Sequence, residues 1–174
     1  QHNLDDMKGM LDITPMLAYS EICDTPSAVT RVEMQKTTSV SGTECYELVL
    51  TLKLPLNLPR KFFAHYDGNL ITAEGGKATL KVPVFEREFK FFYSNYKDYY
   101  YIPSLDAAYH KSVAAHVDAS LRTQATASTC YTRKESIFLK QYDILVEPFF
   151  KQNYKDKETF FEIKNKKKKN RKLF

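Results

Sequence analysis

The sequence predicts an α+β fold, in which a helical N-terminal segment precedes an antiparallel β-meander. Apolar residues recur at helical spacing up to about residue 24, and from about residue 29 they alternate every second residue. The 12 tyrosines and 12 phenylalanines also favour strands, because flat rings pack well on a pleated surface. We therefore expect terminal helices over residues 1–24, a β-rich module over 25–163, and a disordered basic tail over 164–174.

The N-terminal segment predicts two short helices. Asn3 is expected to cap the first helix, and two aspartates follow in its first turn, where the helix dipole favours anions. Thr14 and Pro15 predict a second start, with threonine as the cap and proline as the first helical residue. The second helix is expected to end near Asp24.

The first half of the predicted meander contains its clearest strand. Residues 29–38 read as a strand with a poor pattern, whereas residues 45–54 alternate cleanly between leucines or tyrosine and other side chains. Residues 62–66 and 70–74 flank the sequence Asp67-Gly68-Asn69, which is a hairpin signal.

The second half of the meander is predicted to contain one packed helix. Residues 78–84 and 89–93 alternate as two further strands. The spacing of apolar residues then predicts a helix that Ser104 caps and that runs to about Leu121. Residues 130–134 and 160–163 are predicted to be short edge strands.

The positive charge is concentrated at the C-terminus. The net charge is +5, yet seven cations lie within residues 164–174, whereas the first 50 residues carry 3 cations and 8 anions. The high isoelectric point therefore belongs to the tail and says little about what the folded part binds.

The sequence also bears on the compartment. No stretch approaches the ~18 apolar residues of a membrane span, so no membrane partner is expected. The three cysteines, Cys23, Cys45 and Cys130, are odd in number, far apart and without a C-x-x-C pair. This usage favours a reducing cytoplasm over a disulfide framework or a zinc site.

A candidate metal site lies in the first helical turn. His2 and Asp6 are one turn apart and can point into the same cleft. An aspartate there can bind a divalent cation, and a neighbouring histidine can orient an attacking water. The alternative is that Asp6 only complements the helix dipole.

The stretch HNLDDMKGMLDITPMLAYSEI resembles the last helix of ribonuclease H-like exonucleases of the DnaQ-like, DEDD group, and within it the YprB-type exonucleases. The third motif of that group has tyrosine, three residues and then aspartate. Here His2 stands at the tyrosine position and Asp6 at the metal-ligand position. The segments YKDYYYIPSLDAAYHKSVAAHVD and ATASTCYTRK are similar to the region that follows the nuclease domain in such proteins.

The resemblance implies the C-terminal accessory part of a metal-dependent 3′–5′ exonuclease. The full-length protein would use Mg²⁺ or Mn²⁺, and an upstream nuclease domain of the same chain would be a partner. Hydrolysis with two metals needs several carboxylates around ions ~4 Å apart, and Glu86 and Glu88 are expected only to line a solvated strand face. This chain is therefore predicted to be inactive and metal-free by itself.

If residues 1–24 are the terminal helices of a nuclease domain, the sheet that they would cover belongs to that domain and not to this chain. Their apolar side chains are therefore expected to be poorly buried. The residues concerned are Met7, Met10, Leu11, Met16 and Leu17.

Aromatic side chains interleaved with cations form a candidate nucleic-acid site. Rings stack on the bases of single-stranded DNA or RNA, and cations track its phosphates. The candidate residues are Tyr99, Tyr100, Lys111, Arg133 and Lys134. The tyrosines could instead pack the meander against the helix. The chain would then be a protein-interaction or structural module that stabilises a partner domain, or an independent β-rich ligand-binding domain.

Overall fold

The computed structural model describes residues 2–38 and 42–163, apart from the side chain of Cys23. These residues divide into two compact units on either side of the Pro83–Val84 bond. Helices occupy the N-terminus and antiparallel strands most of the rest, which confirms the α+β prediction. The prediction for the tail, residues 164–174, lies outside the described residues.

The first unit begins with two helices, α1 (His2–Ile13) and α2 (Leu17–Asp24), joined by a 3₁₀ turn over Thr14–Met16. The two predicted caps are wrong. Asn3 lies inside α1, because the helix already includes His2. The Thr14 hydroxyl donates back to the Met10 carbonyl at 2.8 Å and caps nothing, because Pro15 continues the chain as a tight turn.

The strands of the first unit follow the predicted alternation. They are β1 (Ala28–Thr38), β2 (Glu44–Lys53), β3 (Phe62–Tyr66), β4 (Asn69–Glu74) and the first half of β5 (Lys77–Phe92). β3 and β4 form the expected hairpin, in which Asp67 and Gly68 have φ of 49° and 80°. The two strands predicted at 78–84 and 89–93 are in fact one strand, β5, which contributes to both units.

The core of the first unit leaves α1 uncovered. Leu54, Leu58, Ala73 and Ala78 are buried, and side chains of α2 pack against them. No described residue of α1 is buried. The expectation of poorly buried helix side chains is confirmed, because the exposed fractions run from 56% for Met16 to 72% for Met10.

The second unit is built on four strands that close into a ring. The second half of β5 pairs with β9 (Tyr131–Gln141), β9 with β11 (Thr159–Glu162), and β11 with β10 (Phe149–Phe150). Lys151 then pairs with Lys90 of β5 through two backbone hydrogen bonds of 2.8 and 2.9 Å. We call these four strands the strand ring.

Phenylalanines fill the strand ring. The buried members are Phe89, Phe138, Phe150 and Phe160, and the Phe89 and Phe138 rings meet edge to face with centroids 5.0 Å apart. The prediction of edge strands at 130–134 and 160–163 is therefore wrong. Both segments lie inside the sheet, since β9 is flanked by β5 and β11, and β11 by β9 and β10.

The predicted helix at 104–121 is wrong over most of its length, and one strand of a three-stranded sheet lies within it. β6 (Tyr99–Ile102) pairs with β7 (Ala107–His110) and with β8 (Thr123–Gln124). Within 104–121 only helix α3, Lys111–Ala114, is α-helical, and 3₁₀ turns lie over Pro103–Leu105 and Ala119–Leu121. The chain reverses at Asp106, whose φ of 46° is left-handed, and strand pairing with the β6 tyrosines overrides the helical spacing.

Candidate aromatic and cationic site

The three consecutive tyrosines of β6 point to two sides of its sheet. Tyr99 and Tyr101 pack against the buried residues Ala108, Ala125 and Cys130. Because side chains alternate along a strand, Tyr100 lies on the opposite face. We call the side of Tyr99 and Tyr101 the inner face and the side of Tyr100 the outer face.

On the inner face, Tyr99 is held by other rings. It stacks on Tyr93 with centroids 4.7 Å apart and planes 19° apart, and it meets the His110 ring at 5.5 Å and nearly perpendicular. Burial raises the pKa of the Tyr99 hydroxyl, and the neighbouring Tyr93 adds to the effect. One face of the Tyr99 ring is therefore already occupied by a protein side chain.

Asp106 organises the rest of the inner face. The hydroxyls of Tyr101 and Tyr131 both donate to its Oδ1 atom, and Arg133 Nε lies 3.6 Å from Oδ2. The bond from Tyr101, then that from Tyr131, and then the charge of Arg133 hold the pKa of Asp106 below its usual value. Burial, followed by the bond to Asp106, raises the pKa of Tyr131.

Arg133 is neutralised by two carboxylates. Besides the contact with Asp106, its Nη1 atom lies 3.6 Å from Glu88, and its Nη2 atom donates to the Leu105 carbonyl at 3.2 Å. Glu88 is exposed on β5, as expected for a solvated strand face. Arg133 is thus bound to the protein on several sides.

A shallow cleft brings two of the predicted site residues together. It has a volume of about 580 Å³, and Tyr99 and Arg133 line it with Tyr93, Tyr109 and His110. The cleft therefore combines aromatic walls with one guanidinium, although carboxylates already hold that guanidinium.

On the outer face, two cations lie over one ring. The Arg122 guanidinium carbon is 4.7 Å from the Tyr100 ring centroid, and Lys111 Nζ is 5.5 Å from it. Arg122 also donates to the Ala114 carbonyl. The pKa of Asp118 is lowered mainly by hydrogen bonds from the backbone and side chain of Ser120. The charge of Arg122 makes a smaller contribution in the same direction. Within 2–38 and 42–163, no carboxylate forms an ion pair with Lys111.

Lys134 lies apart from the other candidates. Consecutive residues of β9 face opposite sides of the sheet, so Lys134 and Arg133 do not share a surface. Lys134 Nζ is 2.7 Å from Glu162. The structure thus distributes the five predicted residues over three places: Tyr99 with Arg133, Tyr100 with Lys111, and Lys134 alone.

The N-terminal candidates are both exposed on α1. In the described part of the chain, neither His2 nor Asp6 belongs to a group of three or more His, Cys, Asp or Glu residues positioned to hold a metal ion. A search of the same residues finds no helix with the length and apolar character needed to cross a membrane.

Sequence reasoning did not identify the role of Asp106. The residue falls inside the predicted helix from Ser104 to about Leu121, whereas Asp106 forms the β6–β7 turn and binds Tyr101, Tyr131 and Arg133. A signal was available, because aspartate after a proline-containing turn tolerates the left-handed conformation. The long-range contact with Tyr131 left no local signal.

Comparisons with known proteins identify no relative. No protein-family model matches the sequence, and neither does any curated protein or solved structure.

Proposed function

We propose that this chain is an accessory module of a metal-dependent 3′–5′ exonuclease and that it holds single-stranded DNA or RNA on the outer face of β6. The observation that supports the binding role is the Tyr100 ring with Arg122 and Lys111 over it. The link to an exonuclease rests on the resemblance of residues 1–22.

The outer face suits a single strand better than the other candidate positions. A base stacked on an aromatic ring gains about 1–3 kcal/mol, and nearby cations neutralise the phosphates. Among the described residues, Arg133 and Lys134 are already paired with carboxylates, whereas Lys111 is in no such pair. Residues 84–163 contain equal numbers of acidic and basic residues, so local placement rather than total charge would attract the strand.

The metal belongs to the proposal only through the full-length protein. Asp6 would supply one ligand to Mg²⁺ or Mn²⁺, and His2 would orient a water molecule, beside carboxylates from an upstream nuclease domain. Among the described residues Asp6 belongs to no group of three or more possible metal ligands, and we assign no hydrolytic step to this chain.

Binding of short single strands of DNA and RNA tests the proposal, measured by fluorescence anisotropy at several salt concentrations. The chain ending at Asn165 should be used beside the full chain, because the positive charge of residues 164–174 is expected to attract any polyanion. Tyr100→Ala should weaken binding by about 1–3 kcal/mol. Lys111→Gln should lower the magnitude of the salt slope by about 0.7, the value for one phosphate contact.

Lys134→Gln is the matched control, because it removes the same charge from a lysine that Glu162 already neutralises. Its affinity should stay close to that of the unmodified chain. If the chain ending at Asn165 binds neither strand, or if Tyr100→Ala leaves its binding unchanged, the outer face is not a platform for nucleic acid.

A second candidate function is a structural module that docks on a partner domain. The exposed apolar side chains of α1 favour it, because soluble proteins seldom leave such a helix uncovered. The partner that we propose is a ribonuclease H-like nuclease domain of the same chain. Upstream coding sequence with an in-frame Asp-x-Glu on a strand would support it. With that domain present, hydrogen exchange in α1 should slow, and unchanged exchange would contradict docking.

The compartment is a further part of the proposal. We propose a cytoplasmic location on the basis of the cysteine pattern in the sequence. The two cysteines whose side chains are described, Cys45 and Cys130, are both unpaired thiols, and Cys130 is fully buried.

A further inference from the structure

We propose that the second unit contains a small-molecule site for a flat aromatic compound with one anionic group. The site is a pocket of about 330 Å³ beside the strand ring. Its walls include five aromatic residues and one lysine: Phe92, Tyr93, Tyr96, Phe149, Tyr154 and Lys151. This inference does not depend on the proposed nucleic-acid function.

The aromatic walls determine the shape of the ligand. Phe92 and Tyr154 meet edge to face with centroids 5.4 Å apart, so their relative orientation is set by a direct contact. Rings prefer offset-stacked or edge-to-face contacts with another ring, which a flat ligand can provide. Small-molecule sites usually measure about 300–1,000 Å³, so a pocket at the lower end of that range fits one or two fused rings.

Lys151 determines the charge of the ligand. It is the one charged residue among the described residues that line the pocket. Its backbone is fixed by the two hydrogen bonds to Lys90 that close the strand ring. In the described part of the chain no carboxylate forms an ion pair with Lys151. An aromatic pocket with such a lysine attracts an anion and disfavours the cations that aromatic cages usually bind.

The neighbouring cleft gives the ligand a direction. That cleft measures about 610 Å³, shares Phe92, Tyr93 and Phe149 with the pocket, and carries Glu147. Glu147 would repel an anionic group. The ligand should therefore place its anionic group at the Lys151 end, with its rings between the shared aromatic side chains.

Calorimetric titration of the full chain with matched probes tests this site. We expect 2-naphthoate to bind. Uncharged 2-naphthamide should bind at least about tenfold more weakly, because a charge-assisted contact is lost. Cyclohexanecarboxylate should also bind more weakly than 2-naphthoate, because it is not flat. Lys151→Gln should abolish the preference for naphthoate over naphthamide, and Lys151→Arg should retain it.

Lys155→Gln is the control variant, because Lys155 lies close in sequence but does not line the pocket. It should leave all three affinities unchanged, and melting temperatures should show that the variants are folded. Tyr96→Leu is a second variant that keeps the charge of Lys151 and should weaken the binding of 2-naphthoate. The proposal is overturned if naphthoate does not bind, if naphthamide binds equally well, or if Lys151→Gln and Lys155→Gln behave alike.

The source of the ligand can be separated in the same experiment. A free mononucleotide and the terminal nucleotide of a strand share the required chemistry. Competition with 2-naphthoate by adenosine monophosphate alone would support a free small anion as the ligand. Competition by a short single strand at a lower concentration than adenosine monophosphate would support capture of a strand end. Tyr100→Ala should not remove this competition.

Discussion

The two faces of β6 carry the same kind of side chains but use them differently. On the inner face, Tyr101 and the nearby Arg133 are both bound to Asp106. On the outer face, Tyr100 and Lys111 lie together, and no carboxylate of the described residues forms an ion pair with Lys111. A tyrosine and a cation that lie close together therefore do not by themselves define a binding site. The position of one carboxylate decides whether such a pair stabilises the fold or can receive a ligand.

The largest expected difference between the faces is in stability. Tyr99→Ala should lower the free energy of unfolding by about 2–4 kcal/mol, somewhat below the range for buried aromatic residues because Tyr99 is only half-buried. Tyr100→Ala should cost less, about 1–2 kcal/mol, because Tyr100 is also half-buried but its ring lies under Arg122 and Lys111 and not against the buried residues of the inner face. Urea denaturation of both variants measures this. Equal losses would mean that the two faces are not distinct.

The next effect concerns the charge of Asp106. Asp106→Asn retains a hydrogen-bond acceptor and a residue that tolerates the left-handed turn, so it removes mainly the charge. We expect a loss of about 1–2 kcal/mol, discounted because the side chain is 41% exposed. Asp118→Asn is the control, because asparagine caps a turn as well as aspartate does. A loss in the control as large as that for Asp106→Asn would contradict the special role of Asp106.

A smaller effect is expected in acid. The pKa of Asp106 is lowered in the folded state, so its contribution is complete above the unfolded value of about 3.9. The contribution is lost as the pH falls from there through the folded pKa. The stability difference between the unmodified chain and Asp106→Asn should therefore shrink below about pH 4. Thermal unfolding across this range measures it, and a constant difference would mean that the charge of Asp106 is not what matters.

The smallest effect should come from a residue outside both faces. Met10→Gln should change the free energy of unfolding by no more than about 0.5 kcal/mol, because Met10 is 72% exposed in α1. This variant sets the baseline for an exposed position in the urea experiments. A loss above about 1 kcal/mol would show that α1 is covered in solution, which self-association measured by sedimentation would reveal.

Clean alternation and turn chemistry predicted much of the fold. The strand at 45–54 and the hairpin around Asp67 were predictable, because each pattern is contained in a few consecutive residues. The helix at 104–121 was predicted wrongly, since its apolar spacing fits a helix and only pairing with β6 makes Ala107–His110 a strand. The backbone pairing of Lys90 with Lys151 joins residues far apart in sequence, so no local sequence pattern could predict it.

The candidate site was predictable as a set of residue types but not as an arrangement. Tyr100 and Lys111 do lie together, although they were chosen for composition alone. Arg133 and Lys134 were grouped, although the two-residue period of a strand already separates neighbouring side chains. Asp106 was missed as a centre, because two of its partners, Tyr131 and Arg133, lie far along the chain and only Tyr101 is close in sequence.

The closing pair of the strand ring has a consequence for synthesis of the chain. Phe89 and Phe138 emerge from the ribosome before Phe150 and Phe160, which complete their apolar surroundings. Until Lys151 reaches Lys90, these phenylalanines must remain in contact with water or with a chaperone. Translation that stops before Thr159 should thus release a chain prone to aggregation, whereas a chain that includes β11 can complete the strand ring.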